Sequence, residues 1–532
     1  MRKFSSYGPI DKELHYYVPR QKLIEGALQQ LLGDDPNKGG HYITVWAPRQ
    51  TGKTWIMQQV LFILQQDTRF DVVYLPLQDI YLVSDINQVA KILAQRLIEK
   101  LGLENLIIDT LGDLHLLFKR ETLHKPLILI LDEFDGLDEA VIAGLVSFFR
   151  NIYHLRQSQV DKATAAKDYL LHSMAFIGVR TVLGIENVNG SPFNIQRSVH
   201  IPNLTHGEVA DMFNCYQRER SQLIEPEVVE RLWYEFQGQP GLTGWIGELL
   251  TETYNQAPEQ AITMAYFEEV YVAALELLPN NNILNIIAKA KQEPYKAFVL
   301  ELFQTRTKTK FAYDEPIMNF LYMNGIVDVE RVSLRENYIK FPCPFVQKRL
   351  FNYFARELYR EMDSLYGPFE DLSDTITDNH LNIRQLLVRY EQYLQTNRER
   401  VLKNAPRRQD DLRVYEAVFH FHLYLYLVSF LRNYETQIHP EFPTGNGEID
   451  LLIHYAGQLF GLELKSFADK RQYKKALSQA VKYGKRLKVS EIWLVLFIEA
   501  VDDTNRQRFE ADYTEMDVTV HPQFVQTGSV CC

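Results

Sequence analysis

The chain has 532 residues with a formal net charge of −11, and 46% of them are hydrophobic. Ordinary glycine and proline usage and the lack of low-complexity tracts exclude a disordered or fibrous protein, and the length suits roughly two to four domains. The acidic balance excludes a general polyanion-coating role while leaving room for a local basic patch.

The four cysteines (Cys215, Cys343, Cys531 and Cys532) show neither a disulfide framework nor zinc-ligand spacing, and the expectation is a reducing, cytoplasmic setting. Cys531 and Cys532 lack the prenylation arrangement and read as a frayed tail. The N-terminal stretch MRKFSSYGPIDKELHYY has no apolar signal-peptide core. The most apolar run, residues 417–431, is short for a bilayer span and holds two histidines, which predicts a buried helix and no membrane partner.

In chain order, short apolar runs alternate with amphipathic stretches, the sign of βαβ units around a parallel sheet. HYITVWA (41–47) is a predicted strand, KTWIMQQVLFILQQ (53–66) a helix, DVVYLPL (71–77) a strand and VAKILAQRLIEKLG (89–102) a helix. PLILILDEFDGL (126–137) reads as a central strand buried on both faces, and SMAFIGV (173–179) with SVHIPNL (198–204) completes a five-stranded sheet. From about 205 to 365 the period turns helical, with a helix, short hairpin, helix order near its end that is compatible with a winged helix. The polar stretch at 367–380 is the linker candidate. Beyond it come long helices, a hairpin-like segment (448–465), a basic helix (470–488) and the apolar strand EIWLVLFI (491–498). The expected domains are 1–205, 206–366 and 385–532, with a linker at 367–384.

APRQTGKT (Ala47, Pro48, Arg49, Gln50, Thr51, Gly52, Lys53, Thr54) is a phosphate-binding loop whose usual first glycine is replaced by Ala47. Loop amides at a helix N-terminus cradle phosphate, Lys53 reaches the β- and γ-phosphates, and Thr54 offers a hydroxyl to Mg²⁺. LILILDEF then places Asp132 and Glu133 at the end of a buried strand. There Asp132 can hold Mg²⁺ and Glu133 can polarise the attacking water. Both halves of an ATP site are therefore present.

YYVPRQKLIEGALQQLL, APRQTGKT, LDEFDGL, FIGVR, SPFNIQRSVHIPNLT and GQPGLTGWI together resemble the AAA-like ATPases near the archaeal and STAND-type groups, over roughly residues 10–360. The resemblance implies a P-loop NTPase with a helical lid and a winged-helix-like segment. It implies that Val18 and Arg20 lie near the adenine, that residues 178–180 end a sensor strand, and that Arg197 is an arginine finger. Such sites are often completed between subunits, so a homo-oligomer is expected.

The C-terminal third carries a second signal. GEID and GLELK frame a short turn, and alternation puts Glu463 and Lys465 on one strand face where a hairpin can bring Asp450 beside them. Two carboxylates suit Mg²⁺, with Mn²⁺ as a substitute, and the lysine can orient water. In QAVKY, Gln479 and Tyr483 share a helix face. The D-x12-E-x-K order resembles the PD-(D/E)XK nuclease superfamily over roughly residues 385–532. That likeness implies Asp450, Glu463 and Lys465 as the catalytic core, Gln479 as an auxiliary residue and Glu416 as an upstream acid. Residues 465–488 hold nine Lys/Arg against one acid, Asp469, a pattern suited to DNA phosphates.

The expectation is an α/β protein that binds and hydrolyses ATP and carries a Mg²⁺-dependent DNA endonuclease domain, in defence against foreign DNA or in DNA processing. The alternative is a STAND-like switch whose nuclease-like domain binds nucleic acid without cleaving it. A protein-remodelling ATPase with no nucleic-acid role leaves the hairpin acids and the basic helix unexplained.

Overall fold

The computed structural model describes residues 1–532 except 1, 7, 9, 105, 179–195, 304–308, 334–335, 360–361, 363–364, 368–369, 404, 406–415, 442–449, 468 and 529–532. The chain forms two compact units, residues 1–282 with 312–327, and residues 283–311 with 328–532. Among the described residues no helix is long and apolar enough to cross a membrane.

The first unit opens with α1 (Gln21–Leu32), β1 (Tyr42–Trp46), α2 (Lys53–Leu64), β2 (Asp71–Pro76), α3 (Ile86–Leu101), β3 (Leu127–Asp132), α4 (Glu139–Gln157), β4 (Leu171–Gly178) and β5 (Gln196–His200). The strands form an all-parallel sheet in the order β2-β3-β4-β1-β5. Alternation along the strands divides the core. Leu129, Leu131, Met174 and Phe176 pack on the face covered by α3 and α4, while Ile43, Val45, Ile128, Ile130, Ala175 and Ile177 face α1 and α2. A sheet covered on both faces needs apolar residues at every position, and every residue of β3 is accordingly buried. β5 ends earlier than the expected 198–204. Ile201 still donates its amide to the Trp46 carbonyl, but Pro202 has no N–H with which to continue.

A helical part follows: α5 (His206–Arg220), α6 (Pro226–Phe236), α7 (Pro240–Glu248) and α8 (Met264–Glu276). α5 begins in a capping box, with Thr205 accepting from the Glu208 amide and Glu208 from the Thr205 amide. α9 (Asn281–Ala290) starts at the unit boundary and α10 (Tyr295–Leu302) belongs to the second unit. The expected helix, hairpin, helix order is present as α11 (Pro316–Met323), β6 (Asp328–Arg331), β7 (Asn337–Lys340) and α12 (Pro344–Leu358), with α11 in the first unit and the rest in the second.

In the second unit the expected linker region carries a small hairpin, β8 (Ile376–Thr377) and β9 (His380–Leu381). Then come α13 (Ile383–Thr396), α14 (Arg398–Lys403), α15 (Glu416–Phe430), β10 (Thr436–Glu441), β11 (Asp450–Tyr455), β12 (Gln458–Ser466), α16 (Lys470–Leu487), β13 (Glu491–Ile498), α17 (Asp503–Phe509), β14 (Tyr513–Glu515) and β15 (Val518–Gln526). The sheet order is β10-β11-β12-β13-β15-β14, with β12, β13 and β15 mutually parallel. β11 and β12 form the expected hairpin through Ala456 and Gly457, both at positive φ (49° and 74°), the twist that a two-residue turn needs. α16 covers one face, burying Ala476, Leu477, Ala480 and Val481 on Ile492, Leu494 and Leu496. On the other face α15 brings Phe419 to Phe497, ring centroids 6.1 Å apart. The apolar run at 417–431 is thus a buried helix, as its two histidines imply.

One of those histidines generates a pH prediction. His422 is buried and accepts or donates at Tyr390 Oη, 3.1 Å from its Nδ1, and burial pulls its pKa down from 6.5 to about 3. The unfolded chain therefore binds the proton that the folded chain refuses. Stability is fully present above about pH 6.5 and is lost as the pH falls from there towards 3. Thermal denaturation of His422→Asn should show a shallower acid-side fall than wild type over that window, with lower stability at pH 7 from lost packing.

Candidate functional site

At the C-terminal ends of β1, β3 and β4, the first unit holds a cavity of about 640 Å³. Its wall includes Arg49, Gln50, Thr51, Gly52, Lys53 and Thr54 from the loop between β1 and α2, and Tyr74, Asp132, Glu133 and Gly178 from the strand ends. Pro240 and Gly241 from the start of α7 complete it, with residues of the N-terminal stretch. Ala47 is fully buried beneath the loop. The loop turns through Gln50 (φ 58°) and Gly52 (φ 91°), which caps α2, and Thr51 Oγ1 donates to the Pro48 carbonyl at 2.9 Å.

Lys53 Nζ donates to the carbonyls of Ala47 and Pro48, both at 2.9 Å. Burial lowers its pKa to about 8, opposed by the charges of Asp135, Glu133 and Asp132. Asp132 is buried (4% exposed) and its Oδ2 accepts from Thr54 Oγ1 at 3.0 Å and from Tyr74 Oη at 2.7 Å, while Oδ1 accepts from the Glu133 amide at 2.9 Å. Glu133 adopts the left-handed conformation (φ 57°), and burial, then the Asp132 charge, raise its pKa. The start of α7 closes on the loop: Gly241 donates its amide to the Gln50 carbonyl at 3.0 Å and Gln239 Nε2 donates to the Arg49 carbonyl at 3.1 Å. A side chain at Gly241 would meet Gln50 Oε1 at 2.5 Å and Cβ at 2.6 Å, so Gln50 would have to shift to admit one.

These donors fit a polyphosphate. First-turn amides of α2 have no intrahelical acceptor, and a buried ammonium satisfied by loop carbonyls is available to an anion. Thr54 and Asp132 fit the metal that accompanies it, as a hydroxyl and a buried carboxylate already within hydrogen-bond reach.

Neither Val18 nor Arg20 lines the cavity. The Arg20 guanidinium instead donates to the carbonyls of Pro202 (2.7 Å) and Asn203 (3.2 Å) and pairs with Glu208 at 3.5 Å, so it braces the chain between β5 and α5. Arg197 is exposed on the edge strand β5 and donates to Gln30 Oε1 at 2.9 Å. Gly178 lines the cavity, whereas Arg180 lies outside the described residues. Tyr74 escaped the sequence reading; a tyrosine in a strand looks like core until the neighbouring strand end is known.

In the second unit, pairing places Asp450 directly opposite Glu463 on β12 and opposite Glu441 on β10. Three carboxylates thus stand in one row across three strands. Asp450 and Glu463 are 2% and 3% exposed, and Lys465, also buried, reaches Glu463 Oε1 at 3.2 Å. Glu441 pairs with Lys348 of α12 at 2.9 Å. Like charges directly opposite destabilise a sheet, and the two lysines offset that cost. The expected trio is therefore brought together, and Gln479 sits half-buried on α16, which covers this face. Glu441 and Lys348 were missed: nothing local marks Glu441 as the strand partner of Asp450, and Lys348 lies far away in sequence. The side chain of Glu416 lies outside the described residues. Among the described residues no three His, Cys, Asp or Glu side chains group as ligands for a metal ion. The eight basic residues of 470–488 are exposed on α16 and its C-cap, opposite the buried face.

Comparisons with known proteins bear on the first unit. The family model described as "AAA-like domain" matches residues 5–276. No curated protein sequence matches the chain. Among solved structures, the chain is similar to the ORC1 protein of Aeropyrum pernix in complex with DNA, with 16% identity, 64% of this chain and 94% of that chain covered and a TM-score of 0.34. It is likewise similar to a Walker-type ATPase of Pyrococcus abyssi, with 14% identity, 66% and 98% covered and a TM-score of 0.39. It is also similar to Cdc6p of Pyrobaculum aerophilum, with 16% identity, 65% and 97% covered and a TM-score of 0.34. With the phosphate loop, the buried acid pair and a family match over more than half of its length, the chain belongs to the AAA-like domain family of P-loop ATPases.

Proposed function

We propose that this protein is an ATP-hydrolysing AAA-like protein whose second unit is a PD-(D/E)XK-type, Mg²⁺-dependent DNA endonuclease. The observation that carries the ATPase half is the meeting of Thr54 and Asp132 beside Lys53. Lys53 and the loop amides bind the phosphates, Thr54 and Asp132 would hold Mg²⁺, and Glu133 orients the attacking water. Arg197, exposed on an edge strand, is available to a neighbouring copy's site in a homo-oligomer.

The observation that carries the nuclease half is the in-register pair Asp450 and Glu463 with Lys465 at 3.2 Å. A bound Mg²⁺ or Mn²⁺ there would supply a more acidic water and offset charge on the phosphodiester. Asp450 and Glu463 would hold it, and Lys465 would orient the water. That water loses a proton and bonds to phosphorus as the bond to the leaving oxygen breaks and the leaving oxygen is protonated. The exposed cations of α16 bind the DNA backbone without reading sequence. Defence against foreign DNA or DNA processing are the roles such a pairing suits. The deep burial of the acidic row favours a second reading, in which the unit binds nucleic acid without cutting it.

Lys53→Ala should weaken ATP binding roughly tenfold or more, whereas Glu133→Gln should bind ATP and fail to hydrolyse it, as measured by nucleotide titration and phosphate release. Wild-type turnover in Glu133→Gln would refute its assignment. Arg197→Ala should keep nucleotide affinity and lose turnover, and full activity in a strictly monomeric protein would remove its role.

Plasmid cleavage with Mg²⁺ should be abolished in Asp450→Ala and in Lys465→Ala, with ATP hydrolysis without DNA unchanged in both. DNA binding without cleavage in wild type would select the second reading. Equal cleavage by wild type and Asp450→Ala would place the activity elsewhere.

A further inference from the structure

Three helices begin at the nucleotide cavity. Lys53 opens α2, Pro240 and Gly241 open α7, and Asn281 and Asn282 open α9, and all five residues line the wall. Three helix N-termini therefore bound one space, and their dipoles favour a polyanion within it. What each helix can donate differs. α2 offers its first-turn amides together with Lys53. α7 has spent its own: the Gly241 amide goes to the Gln50 carbonyl at 3.0 Å, the Leu242 amide goes to Gln239 Oε1, and Pro240 has no N–H.

α9 differs from α7 in one side chain. The backbone amide of Asn282 is capped by Asn280 Oδ1 at 3.0 Å, whereas its carboxamide has no hydrogen-bond partner among the described residues. The residue is only 6% exposed, yet neither carboxamide atom is sealed from the cavity that it lines. An amide held this deep without a partner costs stability, and a ligand that accepts its N–H groups recovers that cost.

We propose that the Asn282 carboxamide donates to the terminal phosphate of a bound nucleoside triphosphate and so distinguishes ATP from ADP. This rests on the ATP reading of the first unit. The loop amides before α2 cradle the α- and β-phosphates, and Lys53 reaches on to the β- and γ-phosphates. The terminal phosphate thus needs donors from outside that loop. A hydrogen bond from Nδ2 to a charged phosphate oxygen is stronger than one between neutral groups, and the start of α9 adds its dipole. A purine edge is the competing acceptor, because it presents a donor beside an acceptor and a carboxamide matches both. The helix N-terminus decides for the phosphate, since its dipole stabilises an anion and not a neutral base.

The test measures the affinities of full-length wild type, Asn282→Ala, Asn282→Asp and Lys53→Ala for the β,γ-imido analogue of ATP and for ADP, both with Mg²⁺. Asn282→Ala should lose roughly tenfold in affinity for the triphosphate and keep its ADP affinity within about twofold. Asn282→Asp should lose more for the triphosphate, because it sets a carboxylate against it, and should also bind ADP nearly as wild type does. A carboxylate in a first helical turn suits the dipole, and retained ADP binding shows that the variant is folded. Equal losses for the two nucleotides put the contact on the nucleoside or the inner phosphates and overturn the proposal. An unchanged triphosphate affinity in Asn282→Ala overturns it as well. In both cases, binding by wild type that is lost in Lys53→Ala leaves the ATP reading standing. Wild type that binds neither nucleotide overturns both.

Discussion

The nucleotide end of the molecule depends on Thr54 and Asp132 meeting across β4. β1, which leads into the loop before Thr54, and β3, which ends in Asp132, are not neighbours: β4 lies between them. β4 ends beside them in Gly178, where a Cβ would lie 2.5 Å from Asp135 Oδ1. Burying an ionised carboxylate is costly unless it is hydrogen-bonded, and Asp132 collects two hydroxyl donors and one amide. Those bonds tie α2, β2 and the turn after β3 to one side chain. The loop before α2 is in turn held from both ends, by Lys53 bonding its first carbonyls and by α7 bonding Arg49 and Gln50.

The second unit solves a harder electrostatic problem. A row of three carboxylates in a mostly buried sheet is unstable by itself, and apolar residues there would stabilise the fold more. The structure keeps the row and supplies two buried lysines, one from the next strand position but one and one from a distant helix. Concentrated, partly compensated buried charges of this kind are enriched at functional sites and also occur in structural ion-pair networks. The asymmetric helix above the row separates the tasks: its apolar stripe closes the core and its cations remain in solvent.

Local physics accounts for much of what the sequence determined by itself. An unbroken apolar run such as LILILD can only be a strand covered on both sides, and the acids that follow must sit where the strand leaves the core. The glycine-lysine-threonine turn before an amphipathic run carries its own phosphate geometry. Likewise the period-two placement of Glu463 and Lys465 and the mixed apolar and basic periodicity of 470–488 define which side chains share a face. These signals depend on neighbours a few residues away, so they are legible from chain order alone.

What only the tertiary structure decided involves partners that chain order does not specify. The carbonyls of Pro202 and Asn203 hold Arg20, because a guanidinium taken from solvent goes to the acceptors that folding brings within reach. Strand order decided that Tyr74 would reach Asp132 and that Glu441 would stand beside Asp450. Helix packing decided that Lys348 would neutralise Glu441. Each of these pairs is separated by tens of residues or lies on strands whose adjacency follows from the burial of the whole sheet. The sequence therefore determined which ionisable side chains each candidate site contains, and the fold determined which charges are compensated and by whom.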